Sequence, residues 1–454
     1  MAAMVKTRRR KAAPPAVSRR DFLASAALAG AAVLLPRLGR TEAAPAASGS
    51  GRSGDIKVGI IGGGSQGRTL LVAAVKIPGV KFTAVTDIWP YHARYAANIL
   101  KEYGHTAAVH EDYREMLAKA SLDAVLIATP DWVHAEQTIA ALQAGVHVYC
   151  EKEMSNTIEG ARTMVKAAAA TGKLLQIGHQ RRSNPRYRHA ESLIHGEGVL
   201  GRITHVYGQW NRPKPLEQGW PKGSDLDAAA LARWGYGSME QLRNWRWYRK
   251  YASGPIGDLG SHQLDVFNWI LRVPPSSILA AGGADTQPEH EWGDYVMGIY
   301  EWRPPSGPVR GYYQVLSSTS HGGYYEVLMG EGGSLEISED PKVGFFYREP
   351  QAQRRQWEDE ASRVSKMGRD AIELKIGETR KEAKRSRRAI EAEADARKPL
   401  HQPHLENFFD AIRGKGTLTC PASEAFATAV TALRTNDAVA SAKPMELAPT
   451  EFVP

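Results

Sequence analysis

Ile60-Ile61-Gly62-Gly63-Gly64-Ser65-Gln66-Gly67 is the stretch that decides the fold. The apolar run Ile56–Ile61 reads as a short strand and Gly67–Val75 has helical spacing, so the glycines form a turn between strand and helix. Gly62 allows the tight turn, Gly64 lets backbone approach a pyrophosphate, and Gly67 lets helix and strand pack closely. The helix start at Ser65 and Gln66 turns N–H groups and positive dipole toward the phosphates. Val80–Asp87 is the second strand, and Asp87 lies twenty residues after Gly67. A carboxylate there accepts ribose hydroxyls and repels a 2′-phosphate, which favours NAD without excluding NADP. A lone glycine motif is weak, but the full strand–turn–helix–strand–Asp context makes a plain turn the poorer reading.

The alternation continues outward from this turn. Trp89–Tyr103 is helical, Ala124–Thr129 a strand, Val133–Ala144 a helix, His147–Cys150 a strand, Asn156–Thr171 a helix and Leu174–Ile177 a strand. Such spacing predicts an α/β fold: a Rossmann domain over 55–178, its parallel sheet covered on both faces. Thr129-Pro130 ends a strand on the carboxyl side of the sheet, where open α/β sheets bind ligands. That segment, with His134 in the next helix, is expected along the nicotinamide-ribose side; packing is the other reading for His134.

Beyond Gln180 the pattern changes. Ile203–Trp210, Ile278–Gly282, Tyr295–Trp302, Arg310–Leu316, Tyr324–Met329 and Ser334–Ile337 read as strands with few helices between them. They predict a mostly antiparallel sheet in an α+β substrate-binding and oligomerisation domain over 179–454. Ser261–Leu271 is one clear helix, and Leu405–Ala440 a last helical zone. Residues 351–400 hold fourteen Lys/Arg and ten Asp/Glu, which reads as a solvated helical insert.

Ser18-Arg19-Arg20-Asp21-Phe22-Leu23 reads as a twin-arginine export signal, implying the matching export machinery as partner. A basic n-region precedes it. The apolar run to Leu35 is too short for a span of about 20 residues, and Ala43-Ala44-Pro45-Ala46-Ala47 suits cleavage. The reading is an exported, periplasmic protein with no stable membrane span after processing, the signal being cleaved or kept as an anchor. Residues 1–50 carry +7 of the chain's net +9, so the remainder is nearly neutral and nucleic acid is a poor partner. Without a free NAD(P) pool outside the cytoplasm, the cofactor should travel inside the folded protein and stay tightly bound. Cys150 and Cys420 are the only cysteines, and Cys150 ends an apolar strand, which favours a buried free thiol. No spacing resembles a metal site; His401-Gln402-Pro403-His404 is the nearest pattern and reads as capping or packing.

Glu151-Lys152 and Gly257-Asp258-Leu259-Gly260-Ser261-His262, together with the glycine turn and Ala128-Thr129-Pro130, complete a pattern. On these stretches the chain resembles the Gfo/Idh/MocA oxidoreductases from about Asp55 to Ala440. The resemblance implies that Lys152 is the active-site lysine, that Glu151 and Lys152 also meet the cofactor, and that Asp258 and His262 form the family's acid–histidine pair. It further implies a homo-oligomer. The physics is compatible: residues four apart share a helix face, a histidine suits proton transfer near neutrality, and a lysine can polarise an alkoxide. Asp265 is a candidate second partner. One departure stands out: Glu153 replaces the family's proline, removing a backbone restraint and adding a negative charge beside the lysine.

Aromatic and basic residues crowd the start of the second domain. Trp210, Asn211, Arg212 and Trp245 there, with His179, Gln180 and Arg181 after the last Rossmann strand and Tyr324 later, are the candidate sugar-binding residues. For any single tryptophan, filling a loop's own small core is the competing reading. His321-Gly322-Gly323 is a further candidate, with a turn as its alternative. The whole predicts hydride transfer between a sugar, sugar derivative or polyol and nicotinamide. Two alternatives stay open: glycoside cleavage or epimerisation through a transient keto intermediate, and a non-catalytic, cofactor-holding sugar binder.

Overall fold

The computed structural model describes residues 54–359, 361–366, 368–374 and 398–454. The expected export signal at 1–50, and 375–397 of the charged stretch, lie outside the described residues.

The N-terminal sheet is built from β1 (Ile56–Ile61), α1 (Ser65–Ala74), β2 (Val80–Thr86), α2 (Pro90–Glu102), β3 (Ala108–His110), α3 (Tyr113–Lys119), β4 (Ala124–Ile127), α4 (Asp131–Gln143), β5 (His147–Cys150), α5 (Ile158–Thr171) and β6 (Leu175–Ile177). Its order is β3-β2-β1-β4-β5-β6, all parallel, with the reversal between β1 and β4. β4 is buried at every residue, which is why Ala124-Val125-Leu126-Ile127 shows no alternation. Local chemistry sets the ends: the Thr157 side chain caps α5 by accepting the Gly160 N–H, and Gly172 closes it at φ +65°.

After α6 (Pro185–His195) and β7 (Ile203–Asn211) comes a long excursion with α7 (Ala228–Arg233) and α8 (Met239–Arg243), then α9 (Ser261–Leu271). β8 (Pro275–Gly283), β9 (Tyr295–Trp302), β10 (Val309–Leu316), β11 (Tyr324–Gly330), β12 (Gly333–Ile337) and β13 (Gly344–Arg348) follow. The charged stretch, expected as a helical insert, differs in its described part. It adds edge strands β14 (Arg363–Lys366) and β15 (Arg369–Glu373), pairing with each other and with β13. Half-buried Val364 and buried Ala371 and Ile372 anchor them, a signal the charge count hides. With β16 (Met445–Glu446) the ten-stranded order is β14-β15-β13-β12-β11-β7-β10-β9-β8-β16, antiparallel except for β7 beside β10.

The last helical zone is two helices, α10 (Gln402–Ile412) and α11 (Ala422–Ser441). Leu405, Phe408 and Phe409 of α10 join the core that β1 and β2 form with α1 and α2, and Phe426 and Val430 of α11 join that of β4 to β6. Ala432 and Ala438 of α11 reach the core of the large sheet. Each fully buried phenylalanine contributes about 1.5–3 kcal/mol. α11 thus belongs to both cores and fixes the cleft between the sheets. Both cysteines are free and buried.

Candidate active site

The ends of β1, β2, β4 and β5 face β7, β11 and the start of α9 across one cleft of about 910 Å³. Gly62, Gly64, Ser65, Gln66, Asp87, Thr129, Pro130, Glu151 and Lys152 line one side of it. Asp258, His262, Gln180, Trp210, Arg212, Trp245 and Tyr324 line the other.

The dinucleotide wall is mostly main chain. Gly62 has φ +96°, and a Cβ there would stand 2.7 Å from the Ala128 carbonyl oxygen. A Cβ on Gly67, which packs behind the turn, would stand 1.9 Å from the Gly62 carbonyl oxygen. Gly64 starts α1 without offering a side-chain acceptor, so the first-turn N–H groups suit an anion. The Asp87 carboxylate accepts the N–H groups of Gly63 at 2.7 Å and Trp89 at 2.8 Å, which fixes it at the edge of the turn. Gln66 donates to Glu151 at 3.0 Å and stands 3.1 Å from His401 Nε2, tying α1 to the end of β5. These features fit a dinucleotide, with its pyrophosphate on α1 and a ribose diol on Asp87.

Across the cleft, residues 256–260 make one π-helical turn before α9, a distortion that recurs at functional sites. Asp258 is ringed by cations. Arg246 Nε lies 3.0 Å and Lys152 Nζ 3.6 Å from Oδ1, and Arg212 Nη1 lies 3.7 Å from Oδ2. The Lys152 ammonium also donates to the Asp258 carbonyl. Burial works to raise the Asp258 pKa, but Arg246, Lys152 and Arg212 hold it well below the usual carboxylate range. His262 stacks on Trp210 at 5.6 Å between centroids, and Trp210 on Tyr324 at 4.6 Å. Burial and the charges of Lys152 and Arg181 push the His262 imidazole well below its usual pKa. It is therefore neutral, and able to accept a proton, at neutral pH.

Glu153 does not charge this wall. It is fully buried, Oε1 accepts the Met154 N–H at 2.8 Å, and burial raises its carboxyl to about 8. The residue in place of the proline is a neutral acid, and the Lys152–Glu153 peptide is cis.

Several expected contact residues stand behind the cleft instead. His134 is buried between the carbonyls of Glu153 and Thr129, each at 2.8 Å. Burial alone would lower its pKa; the Cys150 sulfur, Asp131 and the Glu153 carbonyl raise it to about 10. It pins the lysine segment to the end of β4. Arg181 lies under the floor, paired with Glu326 and with Glu339 at 3.1 Å, its guanidinium 5.5 Å from the Trp210 ring centre. Asn211 donates to the His321 carbonyl at 2.8 Å and accepts from Gln314, bracing the 321–323 turn. Gly322 and Gly323 both have positive φ there. Asp265 does not meet His262. Arg182 takes both its oxygens, at 2.8 and 2.9 Å, because a guanidinium fork matches a carboxylate better than an imidazole does. His179 is buried behind His262. His404 packs, with Nε2 2.9 Å from the Ile177 carbonyl, while its neighbour His401 lines the cleft.

The tryptophans serve both readings. Trp89, Leu231, Tyr236, Met239 and Tyr251 form a small core, against which Trp132, Trp220, Trp234, Trp245 and Tyr248 pack. This cluster clasps the dinucleotide side: Trp89 Nε1 donates to the Ser224 carbonyl, Arg233 pairs with Glu111 at 2.9 Å, and Trp132 Nε1 donates to Tyr236 at 3.2 Å. Trp89 and His401 escape sequence reasoning. The only hint of Trp89 is its place two residues after Asp87.

Residues 56–179 match the model of an oxidoreductase family with an NAD-binding Rossmann fold, and 194–447 match that family's C-terminal alpha/beta domain. An inositol 2-dehydrogenase/D-chiro-inositol 3-dehydrogenase of Shouchella clausii (strain KSM-K16) is 36% identical over 156 residues, 33% of this chain and 44% of that protein. A 1,5-anhydro-D-fructose reductase of Ensifer adhaerens is 27% identical over 61% of this chain and 74% of its own length. The first curated relatives are matched over about half their length. Among solved structures, levoglucosan dehydrogenase in complex with NADH and levoglucosan superposes with a TM-score of 0.65 at 19% identity, covering 87% of this chain and 99% of that one. The WlbA dehydrogenase of Chromobactrium violaceum, with NADH and UDP-GlcNAcA, gives 0.63 at 20%, covering 87% and 96%. At such identity these two attest the fold. With both domain models matched in order around one cleft, the chain belongs to the Gfo/Idh/MocA oxidoreductase family.

Proposed function

We propose that the protein moves hydride between a carbinol carbon of a sugar, sugar derivative or polyol and tightly held NAD, outside the cytoplasm. One observation carries this reading: Lys152, Asp258 and His262 line the same cleft as the glycine turn. Bound nicotinamide would supply the hydride acceptor. His262 takes the hydroxyl proton. Lys152, held by the Asp258 carbonyl, stabilises the developing alkoxide, and the Asp258 carboxylate, itself fixed by Arg212 and Arg246, keeps that ammonium in place. The stacked faces of Trp210 and Tyr324 suit the C–H side of a sugar ring. The names of the relatives support the substrate class, since they act on inositols and anhydro sugars. Retention is supported by the clasp of Trp89, Glu111 and Trp132 by the excursion after β7, and export by Ser18–Leu23. A homo-oligomer belongs to the proposal, supported by Met297 and Ile299, which stand exposed on β9.

The test is the absorbance spectrum of protein exported and purified without added cofactor, before and after a panel of sugars, polyols and glycosides. Stoichiometric nicotinamide that one sugar reduces, and a second compound or product release reoxidises, is the expected result. Tight sugar binding with no change at any substrate would leave a non-catalytic binder. Protein that emerges empty and turns over only with added NAD would overturn retention.

A further inference from the structure

Behind His262, away from the cleft, the imidazole of His179 stands edge to face with it, 6.3 Å between ring centroids. His179 is 1% exposed, and neither of its ring nitrogens has a hydrogen-bond partner among the described residues. His262 Nδ1 is also buried and unpartnered, which leaves Nε2 for the cleft. Neighbouring packed histidines behave differently. Both nitrogens of His134 meet carbonyls, and those of His404 meet the Ile177 carbonyl and Ser183 Oγ. Leaving a buried N–H unpaired costs about 1–3 kcal/mol, so orphan nitrogens on two facing rings call for a partner between them. At this separation the rings are too far apart for a direct hydrogen bond, and the gap is of the length that one water bridges.

We infer that His179 shares a proton with His262 through a single bridging water, and so positions His262 and relays the proton taken from the substrate hydroxyl. This rests on the dehydrogenase reading. As the carbinol C–H leaves as hydride to nicotinamide, the O–H proton passes to His262 Nε2. The Nδ1 proton passes to the water, and a water proton to His179. A carbonyl, reduced nicotinamide and one protonated His179 result, and the reverse stroke returns the same proton. No further reactant is needed. Burial, Lys152, Arg181, His179 and His401 all oppose a positive His262. Burial, Arg182, Lys152 and Arg181 oppose a positive His179 as well, but the Asp265 carboxylate of α9 favours it. A proton parked there stays out of the cleft and remains available for a redox-neutral cycle.

The test uses the cofactor-loaded protein and single-turnover reduction of bound nicotinamide in mixtures of light and heavy water. Wild type should show a curved proton inventory, with three protons in flight. His179→Phe, which keeps the ring volume, should show a linear one. It should also slow the step about tenfold or more and shift the acid limb of the pH profile, with KM and bound cofactor unchanged. A linear inventory in wild type, or wild-type kinetics in the variant, overturns the relay; so does a variant that loses KM and stability with its pH profile intact. Should His179→Phe fail to fold, nitrogen-15 NMR of the wild-type histidine rings decides. A hydrogen-bonded shift at His262 Nδ1 that moves with His179 is expected, and an unbonded shift overturns the pair. That spectrum needs no substrate, so failure to find an oxidisable sugar tells against the dehydrogenase reading alone.

Discussion

The two walls of the cleft are built by different means. On the dinucleotide side the main chain is the instrument: a positive-φ turn, the first turn of α1 and one strand-end carboxylate, all within Gly62–Asp87. Opposite, side chains act, and they come from distant segments: Arg212 after β7, Arg246 after α8, and Asp258 and His262 around the start of α9, met from the near side by Lys152 after β5. Beneath them lies a further layer of buried ion pairs, Arg181 with Glu326 and Glu339 and Arg182 with Asp265. A main-chain site is lost when a Cβ is added. A side-chain site is lost one functional group at a time, and its supports can fail separately from its chemistry.

Three substitutions probe that division. His262→Ala should reduce kcat by about 10²–10⁴-fold, the usual worth of a positioned general base, with bound-nicotinamide content unchanged. Loss of cofactor from this variant would show that the walls are not independent. Arg181→Met leaves Glu326 and Glu339 buried without their cation. Breaking a buried pair costs about 3–5 kcal/mol, readable as a lower urea midpoint. If stability holds and KM for the sugar rises instead, Arg181 belongs to the cleft and not to its foundation. Gly67→Ala places a Cβ 1.9 Å from the Gly62 carbonyl oxygen, so the turn must move. A displacement on the order of 1 Å costs on the order of 100-fold, and the loss should appear as protein purified without nicotinamide, with its circular dichroism preserved. Retained cofactor would mean that the turn is softer than its contacts indicate.

The same difference governs what could be read from the sequence. The turn, Asp87 and the alternating strands are local, so residues within about thirty positions of one another disclose them. Lys152, Asp258 and His262 were found through a resemblance, since nothing local says that residues over one hundred positions apart converge. Side-chain direction was the weakest point. His134, Arg181 and Asn211 sit one or two residues from cleft-lining neighbours, yet turn away, because each finds a fuller set of hydrogen bonds behind the wall. In its described part the expected helical insert over 351–400 gives way to strands for a related reason: charge density reports solvation, whereas buried Ala371 and Ile372, with half-buried Val364, anchor β14 and β15 beside β13. Trp89 and His401 reach the cleft through packing that only the assembled fold supplies.

The finest test of the comparison concerns Glu153, buried behind Lys152 where the family pattern has a proline. Its carboxyl rests near 8 in the folded protein, chiefly through burial, with Asp131 and Asp265 adding and the Met154 N–H and Lys152 subtracting; its ordinary value is 4.5. Between those values the folded state holds a proton that the unfolded state has lost. Stability therefore falls as pH rises from about 4.5 to about 8, by about 1.4 kcal/mol for each pH unit from this group. Glu153→Gln has no such proton, so the difference in urea midpoint between variant and wild type should widen steadily from pH 5 to pH 8 and then level off, with all other groups cancelling. Parallel curves would mean that Glu153 is ionised in the fold. The carboxylate would then stand beside the Lys152 ammonium and compete with Asp258 for it, and the side-chain wall would carry one more negative charge than its geometry implies.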